Sequence, residues 1–272
     1  MKKDRADKIL VERGLAETRQ KAQALIMAGL VSSDGRRVEK AGRPLAPDAP
    51  LSVEKPLPYV GRGGLKLEQA LNEFAVDPTG LVCADVGSST GGFTDCLLQR
   101  GAARVTCVDV DIRQLDDRIR RHPRVTTLEK NARNLIPGDF PEIPSLLVMD
   151  VSFISVLKIL PALKAVFAAA PARPGDPLPL LLCLIKPQFE AGKGQVGKKG
   201  VIRDTELHAE ILTRITGEAA ALGFAPGGLV RCATRGQKGN QEFFARFRPG
   251  LMEPPGEDMI RWIREAVRNE TD

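Results

Sequence analysis

A chain of 272 residues, 43% of them apolar and with a net charge of +6, can bury a sizeable core and is long enough for one full domain plus a smaller one. Its greasiest run, Leu178 to Ile185, is far too short to cross a bilayer, and the start, MKKDRADKILVERG, lacks the apolar core of a signal peptide; a protein of the cytoplasm, not the membrane, is expected. Cys83, Cys96, Cys107, Cys183 and Cys232 form neither a CxxC pair nor a metal-ligand spacing with His122 or His208, so reduced buried thiols and no metal site are expected.

Charge placement says more than its size. Residues 1–66 carry 14 Lys and Arg against 8 Asp and Glu, so the whole positive excess lies in the first quarter of the chain, where it suits a polyanion. There, RADKILVERGL places Ala6, Ile9, Leu10 and Arg13 on one helical face, with Gly14 as the stop. TRQKAQALIMAG repeats the pattern with Ala22, Leu25 and Ile26, Thr18 as cap and Gly29 at the end. LVSSDGRRV then reads as two short strands about Asp34-Gly35. Arg19 and Lys21, in the first turn of the second helix, oppose the macrodipole unless an anion is bound there, which makes them a candidate phosphate seat. The segment from RADKIL to DGRRVEKAGRPL resembles the small RNA-binding domain often called the S-four domain. That resemblance implies contact with structured RNA through the helix pair, with Arg5 joining Arg19 and Lys21. Residues 42–64, rich in Pro and Gly, are expected to hold the last strand of this module and then a linker.

The stretch ADVGSSTGGFTDCLLQRG runs from an apolar segment through a small-residue loop into a helix. A P-loop reading fails because Phe93, not Lys, follows Gly92; a dinucleotide fingerprint fails because Ser89 replaces the second glycine. What remains is a strand ending in Asp85, a glycine turn, a helix, and a second strand, RVTCVDV, with its own acid, Asp109. This order suits S-adenosylmethionine, which has an adenosine and an amino-acid end but no phosphate: Gly87, Gly91 and Gly92 allow close backbone approach, Asp85 balances the cationic end, and Asp109 accepts from the ribose hydroxyls.

SLLVM ends in Asp150 and LPLLLCLI in Lys186, whose following Pro187 stops the ladder. Strand C-termini are where a parallel α/β sheet binds ligands. If a last strand, EFFARF, runs antiparallel, Glu242 at its start joins the same crevice, and Lys66, opening a helix with Leu67, Ala70, Leu71 and Phe74 inward, is the fourth candidate. EAGKGQVGKKGVIRD, with four glycines and Lys193, Lys198, Lys199 and Arg203, is expected to be a flap that closes over RNA. A closing helix is expected to turn Ile260, Ile263 and Val267 inward, with Trp262 beside them.

The segments YVGRGGLKL, DVGSSTGGFTDCLLQRGA, LEKNAR, MDVSFIS, KPQFEAGKGQVGKKGV and GNQEFF together resemble the FtsJ-type RNA ribose methyltransferases, and within them the TlyA family. The resemblance implies an α/β, Rossmann-like methyltransferase sheet with an antiparallel last strand, preceded by a small α+β RNA-binding domain. The expected division is 1–58, 59–250 and a C-terminal extension, 251–272. It further implies 2'-O-methylation of cytidine in ribosomal RNA of either subunit, a tetrad of Lys66, Asp150, Lys186 and Glu242, and cofactor contacts that add Ser88, Ser89, Phe93 and Asn131 to the residues above. RNA contacts from Lys193, Lys198 and Lys199 follow in the same way.

Because the 2'-hydroxyl is a poor nucleophile and a sulfonium a very good leaving group, the reaction depends on alignment more than on a strong base. Lys186 is expected to orient the hydroxyl and help accept its proton, Asp150 and Glu242 to hold Lys186, and Lys66 to support the network. Neighbouring carboxylates in general favour a charged lysine, whereas a general base must be neutral; base and orienter both stay open here. Two rivals belong to other classes: a membrane-active haemolysin, a label the family carries, and a ribosome assembly factor with an inactive methyltransferase domain. Oligomeric state is not legible.

Overall fold

The computed structural model describes residues 3–54, 57–170, 179–192, 194–197, 200–236, 238–250 and 256–268. The chain divides into two compact units, Met1–Pro58 and Tyr59–Asp272.

In the first unit, α1 (Ala6–Glu12) and α2 (Arg19–Met27) bury Ala6, Ile9, Leu10, Ala22 and Ile26 against Val31 and Val38. Thr18 Oγ1 accepts from the backbone N–H of Lys21 at 3.2 Å, and Gly14 and Gly29 follow the helices with positive φ, as the sequence pattern predicts. Strands β2 (Val31–Ser33) and β3 (Arg36–Arg37) form the expected hairpin; Asp34 and Gly35 both have positive φ, 51° and 72°, as a tight twisted turn requires. Beyond it lie two strands where one was expected. β5 (Leu51–Val53) pairs with β2, and β4 (Pro44–Leu45) pairs with β1 (Asp4–Arg5). A two-residue strand carries no alternation for a pattern to register.

The second unit is built on a seven-stranded sheet of β6 (Val82–Val86), β7 (Arg104–Asp109), β8 (Val125–Glu129), β9 (Leu146–Met149), β10 (Leu180–Ile185), β11 (Phe224–Arg231) and β12 (Phe243–Pro249), in the order β11-β12-β10-β9-β6-β7-β8. β12 is antiparallel to both neighbours, and the remaining pairs are parallel. Strands covered on both faces read as continuous apolar runs, and their side chains divide by parity. Met149, Cys183, Ile185, Phe243 and Ala245 face a cluster shared with α6 (Leu160–Ala168), α8 (Thr205–Ala221) and α9 (Glu257–Val267). Val148, Leu182, Leu184 and Phe244 face the opposite cluster, with α3 (Gly63–Glu73) and α4 (Gly92–Gln99). The strand order turns back between β6 and β9, which opens a crevice at their C-terminal ends.

One expectation about α9 needs correction. Ile263 faces the core with Met259 and Ala266, and Val267 and Trp262 pack half-buried against it as expected, while Ile260 is 52% exposed. Met259 and Ile260 both have helical spacing to Ile263, so periodicity alone cannot choose between them; packing on α8 and β11 does.

Candidate active site

The parity of the strands positions the four charged residues. Met149, Ile185 and Phe243 all face the α6/α8 side, so the next residue outward on each strand, Asp150, Lys186 and Glu242, turns toward the α3/α4 side. Lys66, on the first turns of α3, meets them there. All four line one cavity of about 480 Å³.

They are organised as two ion pairs. Lys66 Nζ lies 2.5 Å from Glu242 Oε2, with side chains only 11% and 4% exposed. Lys186 Nζ lies 2.7 Å from Asp150 Oδ1 and donates a hydrogen bond of 2.7 Å to Ser152 Oγ. The expectation that Glu242 would hold Lys186 is therefore corrected: Lys186 is already engaged by two groups of the β9 end, and Glu242 answers the otherwise uncompensated charge of Lys66.

The loop after β6 forms the adjoining wall through Gly87, Ser88, Ser89, Thr90, Gly92 and Phe93. Gly87 has φ 84°, and a Cβ there would meet the carbonyl oxygen of Asp150 at 2.4 Å, so only glycine lets this loop lie against the tetrad strand. Asp85 and Asp109, expected to touch the ligand, do not line the cavity and clasp the loop. Asp85 Oδ2 accepts from Thr94 N at 3.0 Å and Thr94 Oγ1 at 2.7 Å; Asp109 Oδ2 accepts from Ser89 N at 2.9 Å and Oδ1 from Asp111 N at 3.1 Å. Complete burial pushes the Asp85 carboxyl up to about 7, with Thr94 opposing and Asp150 and Asp109 adding to the rise. Gly91 and Asn131 also lie outside the lining; Asn131 Oδ1 accepts from Arg133 N at 3.1 Å.

An unpartnered polar atom on the wall suits a polar ligand. Ser88 is 4% exposed, lines the cavity, and its Oγ has no hydrogen-bond partner. A ligand such as S-adenosylmethionine, whose amino-acid and ribose groups offer donors and acceptors, fits that need.

Of the RNA-contact candidates, Arg5 and Arg19 are bound to the fully buried Asp7 (Arg5 Nε at 2.9 Å, Arg19 Nε at 3.0 Å), and Lys21 pairs with Glu17. Arg19 thereby ties α2 to α1, while Arg5 and Lys21 pair with acids of their own neighbourhood. Lys193, Lys198 and Lys199 lie outside the described residues. Val196 and Gly200 of the same segment line the cavity, and Asn240 anchors its end by accepting from Ile202 N at 3.0 Å and donating to Gly200 O at 2.9 Å.

Sequence reasoning passed over three kinds of residue here. Ser152 and Phe153 sit inside MDVSFIS, whose acid drew the attention. Phe153 is 89% exposed, has φ 63° and packs its ring 4.8 Å from that of Phe189; both line the cavity. Arg62 and Lys238 are exposed cations on the same lining. Only their place in glycine-rich segments hinted at them.

Residues 59–248 match the family of FtsJ-like methyltransferases, and residues 4–50 match the S4 domain. The chain is 45% identical to YqxC of Bacillus subtilis over 97% of its own length and 94% of that protein's. It is 41% identical to the 16S/23S rRNA (cytidine-2'-O)-methyltransferase TlyA of Mycobacterium tuberculosis, covering 88% of each. Among solved structures, a Streptococcus thermophilus protein bearing a haemolysin name aligns with a TM-score of 0.72 at 38% identity, over 98% of this chain and 95% of that one. The chain belongs to the TlyA family of FtsJ-like methyltransferases: an S4 domain followed by a methyltransferase domain whose cofactor is S-adenosylmethionine.

Proposed function

We propose that this enzyme methylates the 2'-oxygen of a cytidine ribose in ribosomal RNA, within a small or large ribosomal subunit in the cytoplasm. The observation that carries the reading is the convergence of Lys66, Asp150, Lys186 and Glu242 on one cavity beside the glycine loop. The name of the Mycobacterium tuberculosis relative supplies the cytidine and the ribosomal RNA.

When bound, S-adenosylmethionine supplies a methyl group on a sulfonium sulfur. Gly87, Ser88, Ser89, Gly92 and Phe93 form the wall that holds it, with Asp85 and Asp109 fixing the loop from behind. Lys186 orients the ribose hydroxyl as the oxygen–methyl bond forms and the sulfonium–methyl bond breaks; in its neutral form it would also accept the hydroxyl proton, while as the ion-paired ammonium beside Asp150 it would act as orienter alone. The Lys66–Glu242 pair closes the other side and adds a fixed field at low exposure. General-base help of this kind is worth roughly 100- to 10,000-fold in rate.

Phe153 supports a single-stranded or extruded target nucleotide. A bulky residue with positive φ costs about 1–3 kcal/mol, and an aromatic ring left 89% exposed gains little from the fold. A nucleobase stacking on it accounts for both. The basic first quarter of the chain suits the phosphates of the same RNA. No helix among the described residues is long and apolar enough to cross a membrane, so the haemolysin name of the relative draws no support from that quarter.

The test is transfer of labelled methyl to isolated small subunits, large subunits and intact ribosomes that lack the modification, followed by mass spectrometry of the nucleosides. Label on the ribose of cytidine supports the reading and names the subunit. Label on a base, or none on any ribosomal substrate, contradicts it.

A further inference from the structure

We infer that Ser152 is a positioning residue of the methyl-transfer site, which fixes the tetrahedral geometry at Lys186 Nζ; the inference rests on the proposed function and adds a fifth residue to its machinery. Lys186 Nζ carries one covalent bond, to Cε, and three further tetrahedral positions. Ser152 Oγ, at 2.7 Å, accepts along one of them, and Asp150 Oδ1, also at 2.7 Å, balances the charge. With Nζ fixed by that bond, a further position can face the ribose hydroxyl, whether it holds a proton that orients the oxygen or the lone pair that receives the hydroxyl proton.

The fold places Ser152 there for a definite reason. β9 and β10 are parallel, with Met149 opposite Cys183 as the last paired residues. Continuing the register by three residues sets Ser152 opposite Lys186. Parity gives it the same face as Asp150, so the two residues of one strand end bracket the lysine on the next. Between the two contacts, the serine carries the directional information. The approach of Lys186 Nζ to Asp150 Oδ1 meets the distance for an ion pair but not the alignment for a hydrogen bond, while the contact with Ser152 Oγ meets both. Asp150 supplies charge, and Ser152 supplies aim.

Alignment is the main demand of this reaction, and a misplacement on the order of 1 Å can cost about 100-fold. Ser152 is exposed in the cavity and makes no other side-chain hydrogen bond among the described residues, so its hydroxyl can be removed without opening the core. The experiment measures steady-state methyl transfer to the ribosomal substrate together with S-adenosylmethionine affinity, for wild type, Ser152→Ala and Ser152→Thr. An aligned hydrogen bond to a charged group is worth about 10- to 100-fold. Ser152→Ala is expected to lower kcat by that factor with RNA KM, cofactor affinity and melting temperature unchanged, and Ser152→Thr to recover most of the loss. Full kcat in Ser152→Ala, a loss confined to KM, or a Ser152→Thr enzyme as slow as Ser152→Ala would overturn the assignment while leaving the proposed function in place. A wild type that puts no methyl on ribose overturns both.

Discussion

Asp85 accepts both the backbone N–H and the hydroxyl of Thr94, two residues into α4, and thereby ties the end of β6 to the helix across the glycine loop. The acid at the strand end is a clasp for the loop that lines the cavity.

Its burial makes the clasp pH-dependent. The Asp85 carboxyl is raised to about 7 in the folded chain from about 3.9 when unfolded. The folded state therefore binds the extra proton, and this contribution to stability is complete below the unfolded value and is lost as pH rises from about 4 to about 7. Asp85→Asn, which keeps an acceptor for Thr94, is expected to gain on the wild type across that window. Melting temperatures of both proteins at pH 4.5 and pH 7.5, set at roughly the two ends of the window, check it; parallel curves would contradict the assignment.

The Lys66–Glu242 pair separates structure from chemistry. Lys66→Ala leaves the Glu242 carboxylate, 4% exposed, without its partner, a change expected to cost about 3–5 kcal/mol. The double variant Lys66→Met/Glu242→Leu should recover much of that stability and none of the methyl transfer. Denaturant unfolding beside an activity assay distinguishes the two effects.

Phe153 predicts a trade of the opposite kind. Phe153→Gly relieves the positive φ and removes an exposed ring, so melting temperature should hold or rise. Loss of a stacking surface should raise RNA KM by about 10- to 100-fold. A variant with unaltered KM would show that the ring does not touch the base.

In the first unit, Asp7 is fully buried and receives Arg5, Arg19 and Gln23. The Arg5 hydrogen bond, with those of Gln23 and Arg19, holds its carboxyl well below the usual range against the cost of burial. The stabilisation is present above the unfolded value near 3.9 and is lost as pH falls through the depressed folded value. Asp7→Asn should lower the stability of this unit at neutral pH by about 1–3 kcal/mol, read from hydrogen exchange in α1 and α2, and flatten its acid response.

The sheet was legible because strands such as Leu180–Ile185 are apolar on both faces and end in charges, Asp150 and Lys186, that no buried strand interior would tolerate. The antiparallel last strand and the tetrad of Lys66, Asp150, Lys186 and Glu242 came instead from the family resemblance; the pattern alone offered Glu242 only on the condition that the last strand ran antiparallel. Pairing within the site was not legible, because which carboxylate holds which lysine depends on strand parity and on a helix that arrives from 176 residues away. That Asp85 and Asp109 also accept from Thr94, Ser89 and Asp111 was not legible, since sequence cannot show that the loop and helix fold back onto them. Asp7 was hidden for a related reason: an acid in a polar, charged segment gives no sign that three side chains will bury it. Ile260 shows the limit of periodicity, where two apolar faces overlap and packing alone decides.

The most direct test of the central claim, that the cavity of Lys66, Asp150, Lys186 and Glu242 is where methyl transfer occurs, is a paired measurement on Lys186→Ala: calorimetric affinity for S-adenosylmethionine and single-turnover methylation of the ribosomal substrate. Cofactor affinity like that of the wild type, with transfer lowered by roughly 100-fold or more, is the predicted result. Transfer near the wild-type rate would contradict it.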